Sequence, residues 1–216
     1  MAKLKKQHMT IHWKAIVQDD SSIPATEATL KEKATLVGRI GLMMLSVGTG
    51  AWRVRNSMNK VARCLGITCT ADIGLLAISY TCIEGTDTYT QSISLPTTGV
   101  NTHKLMELEL FMKEFPDKVS TYSVKHIHEV LDEIQKLPAN YKAWNLGLAS
   151  ALACGAFTFL LGGGPVEMCC AFLGAGVGNF VRKKMLGHSI SLLANVAVSV
   201  AASCLVYVLT ILLAQS

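Results

Sequence analysis

From Met185 to Ser216 the chain carries no Asp, Glu, Lys or Arg, and from Asn145 to Val181 its only charge is Glu167. A soluble domain of 216 residues does not leave most of its last 72 without charge. A bilayer demands it, because a charged side chain at the bilayer centre costs about 3 kcal/mol or more. The sequence therefore reads as an α+β cytoplasmic domain followed by an α-helical transmembrane bundle of three predicted spans.

The two parts differ in composition. Residues 1–143 hold 17 Lys/Arg against 14 Asp/Glu, while residues 144–216 hold only Arg182, Lys183 and Lys184 against Glu167. The basic excess is mild and dispersed, which argues against a nucleic-acid partner, since that needs a dense basic face. Seven cysteines, an odd number without CxxC or zinc-like spacing, read as free thiols in a reducing compartment. Lys3, Lys5 and Lys6 are followed by no apolar core of a signal peptide, so the N-terminal part is expected to stay in the cytoplasm.

Residues 1–34 read as a flexible N-terminal lead, and residues 35–141 as the cytoplasmic domain. Thr35–Val47 is helical by the spacing of Leu36, Ile40, Met43, Met44 and Val47, and Gly48-Thr49-Gly50 stops it. A second helix, Trp52–Leu65, has Gly66 at C′. Ile67–Ile83 is rich in Ile, Thr, Leu and Tyr and reads as one or two strands, and Glu84-Gly85-Thr86-Asp87 as a hairpin turn. Thr88–Leu95 alternates, with Tyr89, Gln91, Ile93 and Leu95 on one side. Asn101 caps a helix to about Phe115, and Ser123 caps another to about Leu137.

Residues 142–216 form the transmembrane region, with spans at about 144–161, 166–181 and 190–213. Lys136, Lys142 and Arg182-Lys183-Lys184 mark the cytoplasmic side by the positive-inside rule. The Gly162-Gly163-Gly164-Pro165 turn and the C-terminus then lie outside. Gly147, Ala151 and Gly155 on the first span, and Gly174 and Gly178 on the second, are small-residue faces suited to close helix packing. Ser191, Asn195, Ser199 and Ser203, each four apart, put a polar stripe on one face of the third. In lipid such a stripe faces protein or water. It either bonds a neighbouring helix or lines a route for a polar solute. Asn179 poses the same alternative, and Glu167 is either solvated at the outer edge or a gating or proton-relay group.

The sequence offers no catalytic site, metal site or cofactor motif. The glycine turn is followed by no Lys-Ser/Thr of a phosphate loop, and His126 and His128 point about 200° apart on a helix. No nucleophile has a base beside it, so a membrane hydrolase has no candidate machinery.

The stretch from Gly41 to Gly66, GLMMLSVGTGAWRVRNSMNKVARCLG, together with Thr88–Ser94 and Thr98-Gly99-Val100-Asn101…Leu105, resembles the N-terminal half of the threonine/serine exporter (ThrE-like) family over roughly residues 35–213. The first stretch is similar to the family's opening helix pair, and the others to its β segment and the following "RGIN…L" run. Thr98 stands where the family has Arg. The resemblance implies five spans in that half, so a chain with three reads as truncated. It further implies a subunit of a bacterial inner-membrane exporter of small polar metabolites, threonine/serine-type amino acids or dicarboxylates such as succinate. The implied partner is a second all-membrane subunit like the family's C-terminal half, and small-residue faces also favour a homo-oligomer. From a different class, the spans could merely anchor a cytoplasmic binding or regulatory module whose contacts are Arg53, Arg55 and the Thr88/Thr90 strand face.

Overall fold

The computed structural model describes residues 13, 23–95, 98–138, 143–186 and 191–215. Of these, 68% are helical, with one small three-stranded sheet. The chain divides into two compact units, 1–139 and 140–216.

The first unit is built around α1 (Leu30–Ser46). It starts five residues before the apolar repeat does, because Thr29 and Glu32 form a reciprocal capping box. From Glu32 to Leu45 every residue but Leu42 is buried, so α1 is enclosed on all sides, by α2 (Ala51–Cys64), β2 (Ala77–Glu84), β3 (Asp87–Ser94) and α4 (Val124–Lys136). That enclosure requires small residues where neighbours come closest. A Cβ on Gly38 would lie 2.2 Å from Tyr80 Oη, and one on Gly41 would lie 2.5 Å from Met58 Sδ.

α2 closes as its sequence predicts. Gly66 has φ 74°, its N–H donates to Arg63 O and the Ile67 N–H donates to Ala62 O, the paired bonds of a Schellman end. The segment after it resolves into two strands, β1 (Thr68–Ile73) and β2, and the sheet runs β1-β2-β3, antiparallel throughout. Gly85, φ 59°, takes the first central position of the two-residue β2–β3 turn, where a II′ hairpin requires positive φ. Alternation then sorts the sheet. Cys69, Ile78, Tyr80, Cys82 and Ile93 face the core. Thr70, Thr81 and Thr90 stand in one row on the outer face, with Ser79 and Ser92 beside them, and their hydroxyls bond across the strands at 2.9 and 3.0 Å.

The loop after β3 is tied to the end of α1 by Thr98 Oγ1, which donates to Leu45 O at 2.8 Å. Asn101 then caps α3 (Thr102–Lys118), accepting from Lys104 N at 3.1 Å. α3 passes the expected end at Phe115 and contains Pro116. Proline lacks the N–H that would bond the carbonyl four residues back, Met112 O. Lys60 Nζ of α2 donates to that carbonyl at 2.8 Å, and the helix continues for another half turn. Ser123 caps α4, accepting from His126 N at 3.2 Å.

The second unit contains α5 (Ala143–Leu160), α6 (Pro165–Leu186) and α7 (Leu192–Gln215), with α6 packed against both others. α6 outruns the segment predicted for it, since Arg182, Lys183 and Lys184 continue the helix rather than end it. Basic residues are good helix formers and sit well at the negative end of the helix dipole. Among the described residues one helix, Leu193–Ala214, is long and apolar enough to cross a membrane, while Gly147–Leu160 is apolar but shorter.

Candidate functional site

Two polar constellations stand out against apolar surroundings, one in each unit.

In the second unit, the polar residues of α7 meet the glycines of α6. Asn195 and Ser199 are buried, and a Cβ on Gly178 would lie 2.8 Å from Ser203 Cβ and 3.0 Å from Ser199 O. Gly174 likewise approaches Ser203 O, at 2.8 Å. The GxxxG face and the polar stripe are thus two sides of one seam. Asn195 Nδ2 donates to Arg182 O at 3.3 Å across it, and Ser199 Oγ donates to Asn195 O at 2.6 Å within α7. On the other side of α6, Asn179 Nδ2 donates to Ser150 Oγ of α5 at 2.7 Å. Gly155 also faces α6, a Cβ there lying 3.3 Å from Met168 O, and Ala151 is buried. A Cβ on Gly147 meets nothing within 4 Å.

The six residues singled out for a solute path do not converge. Ser191 caps the start of α7, where Ala194 N donates to its hydroxyl at 3.3 Å. Glu167 is half-buried in the first turn of α6, its carboxylate folded toward Gly164. Ser191 follows the far end of that helix, which ends at Leu186, about 28 Å along its axis from Glu167. Asn179 faces α5, whereas Asn195, Ser199 and Ser203 face α6 from α7.

The first unit holds a buried polar centre that reading the sequence missed. Arg39, only 1% exposed, projects from α1 to α4. Its Nη1 donates to His128 Nδ1 and to His128 O, both at 2.9 Å, and its Nη2 donates to Asp132 Oδ1 and to Gln135 Oε1. Trp13 covers the group, with its ring 5.8 Å from the guanidinium and stacked on His128 at 6.3 Å. A guanidinium can only donate, so His128 Nδ1 is the acceptor nitrogen and the ring is neutral. Burial, and then the adjacent Arg39 charge, lower the His128 pKa to about 3, while Asp132 opposes the shift. Burial also lowers the Arg39 pKa, against the hydrogen bond and charge of Asp132. Beside this centre lies a cleft of about 80 Å3 lined by Trp13, Arg39, Met43, Ser46, Lys104 and Gln135 among others. The signal for the centre was present in the sequence: Arg39 falls on the apolar repeat of α1, and His128 and Asp132 flank Leu131 on α4.

Three of the four residues considered for a regulatory surface have partners within the unit. Arg53 pairs with Glu109 at 2.5 Å, Arg55 Nε donates to Ala71 O at 3.1 Å, and Thr90 bonds Thr81. His126 is exposed near Glu129 while His128 is buried, so the two imidazoles do point apart.

No curated protein and no solved structure matches the chain. The family model described as "Putative threonine/serine exporter", ThrE, matches residues 35–216, through both units. The chain belongs to the ThrE family, a family of transporters.

Proposed function

We propose that this protein is a subunit of a bacterial inner-membrane exporter of small polar metabolites of the threonine/serine type, working with a second, all-membrane subunit. The observation that carries this reading is the family match, which runs through both units rather than through one of them. In the proposed topology α5, α6 and α7 are the three spans and the first unit is cytoplasmic. The Arg182-Lys183-Lys184 cluster stays on the cytoplasmic side, and the Gly162–Pro165 turn and the end of α7 lie outside.

Asn195, Ser199 and Ser203 act in packing. They give α7 its polar contacts with α6, as polar and small residues do between helices in lipid. Asn179 does the same between α6 and α5. The solute path is completed by the partner, and the apolar outer faces of α5 and α7, with Phe157, Phe159, Leu205 and Leu209 exposed, are where lipid and the partner meet this chain.

The test is threonine efflux from cells loaded with a threonine-containing dipeptide, with the chain expressed alone, with an all-membrane protein first identified by pull-down from mild detergent, or not at all. Efflux should rise severalfold only when both proteins are present. Efflux unchanged by the pair would remove the exporter reading, and efflux raised by this chain alone would remove the partner.

A further inference from the structure

Seven free cysteines are distributed over the chain, and two of them are placed face to face. Cys69 of β1 and Cys82 of β2 are direct register partners on the buried side of the sheet. Their position within the hydrogen-bond ladder is fixed by the turn that joins the strands. Gly74 N donates to Ala77 O at 2.8 Å, so the pair Gly74/Ala77 is hydrogen-bonded. Hydrogen-bonded and non-hydrogen-bonded pairs alternate along an antiparallel ladder. Counting back from Gly74, the pairs at Asp72 and Thr70 are hydrogen-bonded, and those at Ile73, Ala71 and Cys69 are not. The opposite edge agrees: Leu95 N donates to Leu76 O at 2.7 Å, which directs the backbone of Cys82 toward β3 rather than toward β1. A non-hydrogen-bonded pair brings Cα atoms to about 4.5 Å and its side chains closest together. That separation lies within the range of about 4.4–6.8 Å that a disulfide spans.

We infer that Cys69 and Cys82 form a reversible modification site, a dithiol that closes to a cross-strand disulfide when it meets a low-molecular-weight disulfide such as oxidised glutathione. The inference concerns the first unit alone and does not rest on the exporter reading. The chemistry balances in two exchanges. The Cys69 thiolate attacks one sulfur of the oxidant, forming a mixed disulfide and releasing one thiol. The Cys82 sulfur then attacks Cys69 Sγ, expelling the second thiol, so two protein thiols and one small disulfide become one protein disulfide and two small thiols.

The environment supports this order of attack. Cys69 is 7% exposed on β1, an edge strand, whereas Cys82 is fully buried on the central strand. The Cys82 thiol hydrogen-bonds Cys69, which holds the Cys69 pKa below its ordinary value, and Cys82 is raised by the same bond and by burial. The acidic, outer thiol is therefore the nucleophile, and local opening of the β1 edge admits the oxidant. Tyr80 and Tyr89 also face this pair, and Tyr80 is itself pushed up by burial.

The experiment exposes the full-length protein in mild detergent to oxidised glutathione, traps free thiols with N-ethylmaleimide and maps the peptides by mass spectrometry. The expected product is a peptide pair linking Cys69 to Cys82, two mass units lighter than the dithiol and reopened by dithiothreitol. Cys82→Ser should stop at a stable glutathione adduct on Cys69, and Cys69→Ser should leave Cys82 unmodified in the folded protein. The inference is overturned if Cys69 and Cys82 both remain free thiols under conditions that modify Cys154 and Cys204, which are exposed. It is equally overturned if the wild-type protein stops at a glutathione adduct, or if the link forms only in denaturant.

Discussion

His128 shows how one residue ties stability to pH. Its neutral ring accepts from Arg39, and protonation would set a second cation against the guanidinium. With its pKa lowered to about 3 from an ordinary value near 6.5, the folded protein refuses a proton that the unfolded chain accepts. Stability is therefore complete above about pH 6.5 and falls as the pH drops toward 3. At about 1.4 kcal/mol per pH unit, up to about 2 kcal/mol is lost by pH 5. Denaturant midpoints at pH 7.5 and pH 5.0 test this. His128→Gln should flatten the difference, and equal slopes for the variant and the wild type would remove the assignment. Reading the sequence placed His128 only as a poor metal pair with His126, because the partner that defines it, Arg39, is 89 residues away. A lone Arg on an apolar repeat signals a buried counter-charge, but which acid answers it depends on how two helices dock. The outer placement of Thr90 and Ser92 on β3 was legible because period two needs no tertiary information, whereas their row with Thr70, Thr81 and Ser79 depends on strand register.

At the scale of elements, the caps made most boundaries readable. Asn101, Ser123 and Gly66 each do locally what their residue types predict. The misjudged ends share a cause, which is that a neighbour supplies what the local sequence lacks. α3 runs through Pro116 because Lys60 takes the carbonyl that proline leaves unpaired. Lys60→Met should therefore cost about 1–3 kcal/mol, the penalty for a stranded buried acceptor. In a Pro116→Ala background, where the restored N–H can reach Met112 O, the same change should cost much less. A double-mutant cycle by urea unfolding measures the difference, and strictly additive effects would show that Lys60 does not serve that carbonyl. α1 began early through the reciprocal bonds of Thr29 and Glu32, a pattern visible in the sequence but lying ahead of the apolar repeat. α6 ran on because a basic cluster limits a span without ending a helix.

For the whole molecule, the division between a charged unit and an almost uncharged one was plain from composition, and the proposed topology follows from five basic residues, Lys136, Lys142 and Arg182-Lys183-Lys184. In a cysteine-free background, Leu161→Cys, beside the glycine turn, should react with a membrane-impermeant maleimide in intact cells. Thr86→Cys, at the hairpin tip of the first unit, should react only after the cells are opened. The reverse pattern would invert the topology. The solute path was the least legible feature, since a stripe of serines has the same spacing whether it faces a helix or water. The approach of Gly174 and Gly178 to Ser203 is what supports the packing reading proposed above. The apolar length of α7 bears also on how such a chain is made. α7 is long and apolar enough to cross a membrane, while α5 is short and α6 carries charge at both ends. With all three as spans, α5 and α6 leave the ribosome before α7 and are held by each other, through Asn179 and Ser150 and the close approach of Gly155 to Met168. The helix synthesised after them is then the one that anchors both, and α5 and α6 wait as a provisional hairpin until it follows.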